Sequence, residues 1–132
     1  MADRVVLLDT HALVWWAQEP ELLGRRAAAA IRAAARILLP SIVFWEVALL
    51  VRKSRLRLRG DCEPALWMQR VLAIPRVAAV ALTPEIALEA DGLDMHPDPA
   101  DRFIVATALR EKAPIVTKDA LLGGLSWVRA IW

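Results

Sequence analysis

Four acidic residues in this chain sit among neighbours that do not suit an acid. Asp9 ends the apolar run "VVLL" and is soon followed by another, "ALVWW"; Glu46 interrupts "SIVFWEVALLV"; Asp101 closes "HPDPAD"; Asp119 follows "IVTK". A glutamate on the wet face of a helix recurs with polar residues three and four positions on, but Glu46 has Leu49 and Leu50 there. Carboxylates brought within a few ångströms of one another cannot all ionise cheaply, so some take up protons unless a cation neutralises them. An all-oxygen site with no Cys/His cluster suits hard Mg²⁺ or Mn²⁺. Such an ion acidifies water and stabilises charge on a phosphate, which makes phosphate-ester hydrolysis the chemistry this residue set would support.

The elements that must position these acids follow from periodicity. Arg4 to Leu8 predicts a strand, Thr10 to Gln18 a helix, and the alanine-rich Arg25 to Arg36 a second helix by propensity. Ile37 to Leu39 predicts a strand stopping at Pro40. Ser41 falls where an N-cap belongs, before an apolar helix to about Arg52 or Lys53. Asp61 to Ala73 predicts a further helix, ended by Pro75. A third strand lies in "RVAAVAL". Thr83 with Pro84, and Asp98 with Pro99, are cap and first-position pairs for helices through Glu89 and to about Lys112. "PIVT" is the fourth strand; a short helix at Ala120 to Leu122 and a strand around Trp127 to Ala130 follow. Alternating strands and helices imply a three-layer α/β/α sandwich with a central, mostly parallel sheet of about five strands, spanning residues 1–132 as one domain. In such sheets ligands collect outside the carboxyl ends of the strands. Asp9 and Asp119 follow strands directly, and Glu46 and Asp101 lie early in helices that begin near that edge.

Some of the acids also have a purely structural role open to them. Asp98 is accounted for as a helix cap, Asp101 as a charge favoured by the positive end of a helix, and Asp119 as a turn or cap residue. Thr10, Ser41 and Thr117 are placed to bond a carboxylate or water, although Thr10 and Ser41 serve equally as caps. His11 and His96 fit surface or packing positions. Arg102 and Lys118 adjoin Asp101 and Asp119 in sequence, and adjacent side chains on helices and strands point apart.

Composition narrows the class. Of 132 residues 58% are hydrophobic, yet prolines and charges break every apolar run before the ~18 residues of a membrane span. No leader-like segment precedes the first strand, and the lone Cys62 permits no intrachain disulfide or zinc cluster, so a reducing cytoplasm is expected. Net charge is only +2, but "RKSRLRLR" gathers Arg52, Lys53, Arg55, Arg57 and Arg59, while residues 85–101 carry six acids and no lysine or arginine. The arginine stretch leads out of the Glu46 helix and could guide a nucleic-acid backbone by phosphate contacts, or be a solvated loop. Six tryptophans include the adjacent Trp15 and Trp16, at least one of which should leave the innermost core.

"LLDTHALVWW", "PSIVFWEVALLVRKSRL", "HPDPADRFIVATAL" and "IVTKD" resemble, in that order, the successive motifs of PIN-domain ribonucleases, specifically toxins of the VapC type. No single segment is specific, but four in register are. The resemblance implies a nuclease site of Asp9, Glu46, Asp101 and Asp119, with Asp98 accessory. It also implies Mg²⁺ or Mn²⁺ as cofactor, RNA as substrate, and products bearing a 5′-phosphate and a 3′-hydroxyl. A small VapB-like antitoxin covering the site is implied as partner, within a homodimer or a toxin–antitoxin hetero-oligomer. Two rivals share the fold. A phosphohydrolase with Asp9 as nucleophile would want a second acid two positions on, where this chain has His11. A catalytically inactive binding module would not need acids at all four positions.

Overall fold

The computed structural model describes residues 4–132. Its strands β1 (Val5–Leu8), β2 (Arg36–Pro40), β3 (Val77–Val80), β4 (Ile115–Val116) and β5 (Ala130–Ile131) form one sheet, ordered β3-β2-β1-β4-β5 and parallel throughout. Successive strand side chains point to opposite faces, so a strand oily at every position must be covered on both. Leu7, Leu8, Ile37, Leu38, Leu39, Ile115 and Val116 are all buried. Truncating Leu8 or Leu38 to alanine should cost about 2–5 kcal/mol, because so dense a layer collapses little around a void.

The cover comes from α1 (Thr10–Gln18), α2 (Arg25–Ala33), α3 (Ser41–Arg52), α4 (Pro64–Leu72), α5 (Pro84–Asp91), α6 (Pro99–Glu111) and the short α7 (Ala120–Gly123). The strand order positions the site. From β1 the chain steps outward to β2 and β3, then returns to β4 on the other side of β1, so strand order reverses between β1 and β4. Outside that pair of carboxyl ends the diverging connections leave a crevice.

Several boundaries differ from the sequence pattern for physical reasons. The alanine helix stops at Ala33 rather than Arg36, because Ala35 and Arg36 both donate their N–H to the Arg4 carbonyl and Arg36 opens β2. Here strand pairing overrides helix propensity. Pro40 belongs to β2, where it is the last residue and pairs with Val80. Ser41 is therefore not a cap: it is the first residue of α3, and its hydroxyl donates to the Val80 carbonyl at 3.0 Å, fastening α3 to β3. The helix expected from Asp61 begins only at Pro64, because Gly60 and Asp61 both take positive φ and Pro64 supplies a preset first turn. The last strand lies at Ala130–Ile131, where Ile131 is buried, and Trp127 stays outside it.

Candidate active site

A pocket of about 550 Å³ opens at the crevice between β1 and β4, and Asp9, Glu46, Asp98, Asp101 and Asp119 all line it. Each arrives by a local rule. Asp9 is the residue after β1 and the N-cap of α1; its N–H continues the sheet by donating to the Val116 carbonyl, while Oδ1 accepts from Ala12 N at 2.9 Å. Asp98 caps α6 by accepting from Asp101 N at 3.0 Å, so Asp101 sits in the first turn with Pro99 fixing its start. Asp119 caps α7, its Oδ1 accepting from Leu121 N at 2.7 Å. Glu46 reaches the same pocket from the second turn of α3.

Hydroxyls and a histidine orient these acids. Thr117 Oγ1, at the end of β4, donates to Asp9 Oδ2 and accepts from Asp119 N, tying the Asp9 carboxylate and the Asp119 backbone to one side chain. Thr10 Oγ1 donates to Glu46 Oε1 at 2.5 Å. His96 Nε2 lies 2.7 Å from Asp101 Oδ2. Among the described residues Glu46 Oε2, Asp101 Oδ1 and Asp119 Oδ2 take no hydrogen bond, so each of these three acids is tethered by one oxygen and open at the other.

The electrostatics are those of crowded like charges. Burial pushes Asp9 above the usual carboxylate range against the hydrogen bonds of Thr117 and Ala12, and Asp119 adds repulsion. Burial also raises Glu46, with Asp101, Asp98 and Asp9 contributing repulsion against the Thr10 bond. Asp101 is raised by burial and by Asp98 and Asp119, while His96 acts in the opposite sense. The first turns of α1 and α6 supply pocket residues, and at Asp9 the Ala12 N–H offsets part of this repulsion.

Of the accessory candidates, Thr10 and Thr117 hold site acids, Asp98 is both cap and pocket wall, and Ser41 is turned to Val80 instead. The arginine stretch lies apart. Arg52, Lys53, Arg55, Arg57 and Arg59 line no part of this pocket; Arg52 ends α3, the others follow it, and Arg59 meets the last residue of α1. Arg57 pairs with Asp61 at 2.7 Å, and Arg59 donates to the Gln18 carbonyl at the last turn of α1.

Sequence reasoning passed over four residues here. His96 is delivered by the turn 90–98, whose carbonyls at Ala90, Leu93, Met95 and His96 all accept from the Arg102 guanidinium. Arg102 thus points away from the acids, as its place beside Asp101 requires. The prolines flanking Asp98 were the available signal that His96 could fold back on Asp101. His11 and Trp15, four apart on α1, share a helix face and line the pocket. Lys118 lines it too; alternation does not hold beyond the last strand residue, Val116, so Lys118 and Asp119 need not diverge.

The donor set fits a hard divalent cation, being carboxylates with raised proton affinity and open oxygens. Among the described residues no three His, Cys, Asp or Glu side chains already close on a single point as a metal cage would. A Mg²⁺ ion commonly takes only one or two carboxylates, with water and substrate phosphate completing its shell.

A parallel α/β sheet bearing acids is not by itself a family, but a carboxylate pocket at its β1/β4 edge, fed by these motifs, is the arrangement expected of a PIN-like fold. The chain belongs to the PIN domain family, which matches residues 6–123. It is 38% identical over 120 residues to Ribonuclease VapC22 of Mycobacterium tuberculosis, covering 89% of this chain and 88% of that one. Solved structures share the fold at lower identity. VapBC2 of Rickettsia felis bound to a promoter DNA fragment superposes with a TM-score of 0.66 at 15% identity, covering 96% of each chain. VapC20 of M. tuberculosis, a sarcin-ricin loop cleaving toxin, gives 0.66 at 12%, covering 96% of this chain and 99% of that one. A toxin–antitoxin complex from Klebsiella pneumoniae gives 0.64 at 18%, covering 92% of each.

Proposed function

We propose that the protein is a Mg²⁺- or Mn²⁺-dependent endoribonuclease and the toxin of a toxin–antitoxin pair. The observation that carries this is the convergence of five carboxylates, three with raised pKa, on one pocket at the switch point of the sheet. The likeness to a named ribonuclease along nearly the whole chain supports RNA as the substrate.

One or two at a time of Asp9, Asp101, Asp119 and Glu46 would hold the cation, which when bound supplies positive charge to the phosphate oxygens and acidifies a water. The chain's own groups do the positioning. Thr117 and the Ala12 N–H fix Asp9 by one bond to each oxygen, and each oxygen keeps a further lone pair. His96 fixes Asp101 through Oδ2 alone. Glu46, held by Thr10 through Oε1, keeps Oε2 open to orient the attacking water and take its proton, and its raised pKa suits it to that exchange. The water oxygen bonds to phosphorus as the bond to the 3′ oxygen breaks, and that oxygen takes a proton from solvent, leaving a 5′-phosphate and a 3′-hydroxyl. Asp9 as a covalent nucleophile is disfavoured, because it is only 8% exposed and both its oxygens accept protein hydrogen bonds.

A small antitoxin would cover the pocket, in a homodimer or hetero-oligomer for which the exposed Trp45, Leu88 and Leu121 offer apolar surface. Among the described residues no helix is long and apolar enough to cross a membrane, and we place the protein in the cytoplasm. Incubating it with RNA and Mg²⁺ or Mn²⁺ tests the reading. Cleavage should stop with chelator and with Asp9→Asn; cleavage indifferent to both would refute it.

A further inference from the structure

The acid pocket has a second wall that this chemistry leaves unused. Trp15 lines it, flanked by His11 and Lys118. The half-buried indole is braced from behind by Trp132, whose ring centroid is 5.6 Å away at an interplanar angle of 60°. Trp132 is itself wedged against Gly24, where a Cβ would fall 2.7 Å from the Trp132 carbonyl carbon and Cδ1. The His11 ring lies 5.6 Å from Trp15, and Lys118 Nζ stands 5.8 Å from its centroid; both side chains are exposed and rearrange at little cost.

We propose that Trp15 is a stacking platform for an unpaired nucleobase beside the scissile phosphate, with Lys118 on a neighbouring phosphate, so that these two residues position the substrate. The inference rests on the ribonuclease reading. Carboxylates and a cation recognise any phosphodiester, whereas a ring in the same pocket adds a demand for a flat base that duplex stacking would keep covered. An arginine from a protein partner could also stack on an indole, but here it would meet the Lys118 ammonium already beside the ring. A nucleotide brings a neutral ring for Trp15 and an anion for Lys118.

The test uses a short unstructured oligoribonucleotide that the wild-type protein cleaves, with one abasic position moved along it. Removing a base next to the cut should raise KM roughly 5- to 100-fold with kcat changed far less, while distant abasic positions matter little. Trp15→Leu keeps bulk against Trp132; it should bind intact RNA as weakly as wild type binds the abasic strand and lose the abasic penalty, and Trp15→Phe should retain most of it. Lys118→Ala should flatten the dependence of log affinity on log salt by about 0.7. If KM ignores every abasic position while cleavage still depends on Asp9, the platform is overturned and the nuclease reading stands. If no RNA is cleaved at all, both fall. Because the abasic series uses unmodified protein, it decides even if Trp15→Leu fails to fold. Trp15→Leu weakening only an arginine-containing peptide, with RNA untouched, would also overturn the platform and assign the wall to a protein partner.

Discussion

Two charge clusters stand out in this chain, and the fold treats them oppositely. The arginine stretch is contiguous in sequence, five cations within residues 52–59, and in the structure it remains a surface segment with Arg57 and Arg59 satisfied locally. The acid cluster is scattered from Asp9 to Asp119, and the sheet gathers it into one pocket. Contiguous like charges stay where water screens them, at small cost. Charges assembled from distant positions into a partly buried pocket cost stability, and their raised pKa values record that cost. A cluster that destabilises the empty protein is the better functional candidate of the two.

Neutralising the pocket should have the largest effect. Asp9→Asn or Asp101→Asn is expected to lower the RNA cleavage rate by roughly 10²–10³-fold or more, the scale of losing one preorganised charge-stabilising group. Asp9→Asn should also raise the melting temperature of metal-free protein near pH 7, since the amide can still accept from Ala12 N and carries no charge to desolvate. A variant both less active and less stable would break the contrast.

Next comes the orienting shell. Thr117→Val removes the donor to Asp9 and the acceptor for Asp119 N, and should weaken Mn²⁺ binding by about 10–100-fold, read by titration calorimetry.

The pocket's cost should show as a pH dependence. Asp9, Glu46 and Asp101 have folded pKa values above their ordinary 3.8 or 4.5, so the stability they give in protonated form is full below those values. It is lost as pH rises through the raised folded values. Asp61, lowered by Arg57, acts with the opposite sign but is fully exposed and contributes little. Melting of metal-free protein should therefore fall as pH climbs from about 4 towards neutrality, and Mn²⁺ at about a hundred times its Kd should restore roughly 5–10 °C at pH 7. A melting temperature that rises over that range without metal would count against a strained acid pocket.

The smallest effects belong to the arginine stretch. Replacing Arg52, Lys53 and Arg55 together by alanine should change KM for RNA by less than about threefold and leave its salt dependence nearly unaltered. A salt slope reduced by ~2 would make these residues the backbone contact and erase the contrast between the two clusters.

Element order, the parallel sheet and the strand-end positions of the acids could be read from the sequence, because apolar runs, proline at first helical positions and capping residues are local signals. Thr83–Pro84 and Asp98–Pro99 marked helix starts that the structure keeps. Locality also limits such a reading. The alanine run looks helical to Arg36 until Arg4 claims Ala35 and Arg36, and Ser41 looks like a cap until Val80 arrives across β3.

What the sequence determined by itself is therefore which residues carry charge at element boundaries, since hydrophobic periodicity fixes those boundaries within a few positions. Only the tertiary structure decided which of them meet. Thr117 finds Asp9 across 108 positions because β4 lies beside β1, and Thr10 finds Glu46 across 36 because α1 and α3 both start at the same sheet edge. His96 reaches Asp101 through a turn held by Arg102. Strand order and register are long-range pairings with no local signature, and they set every distance on which the site's electrostatics depend.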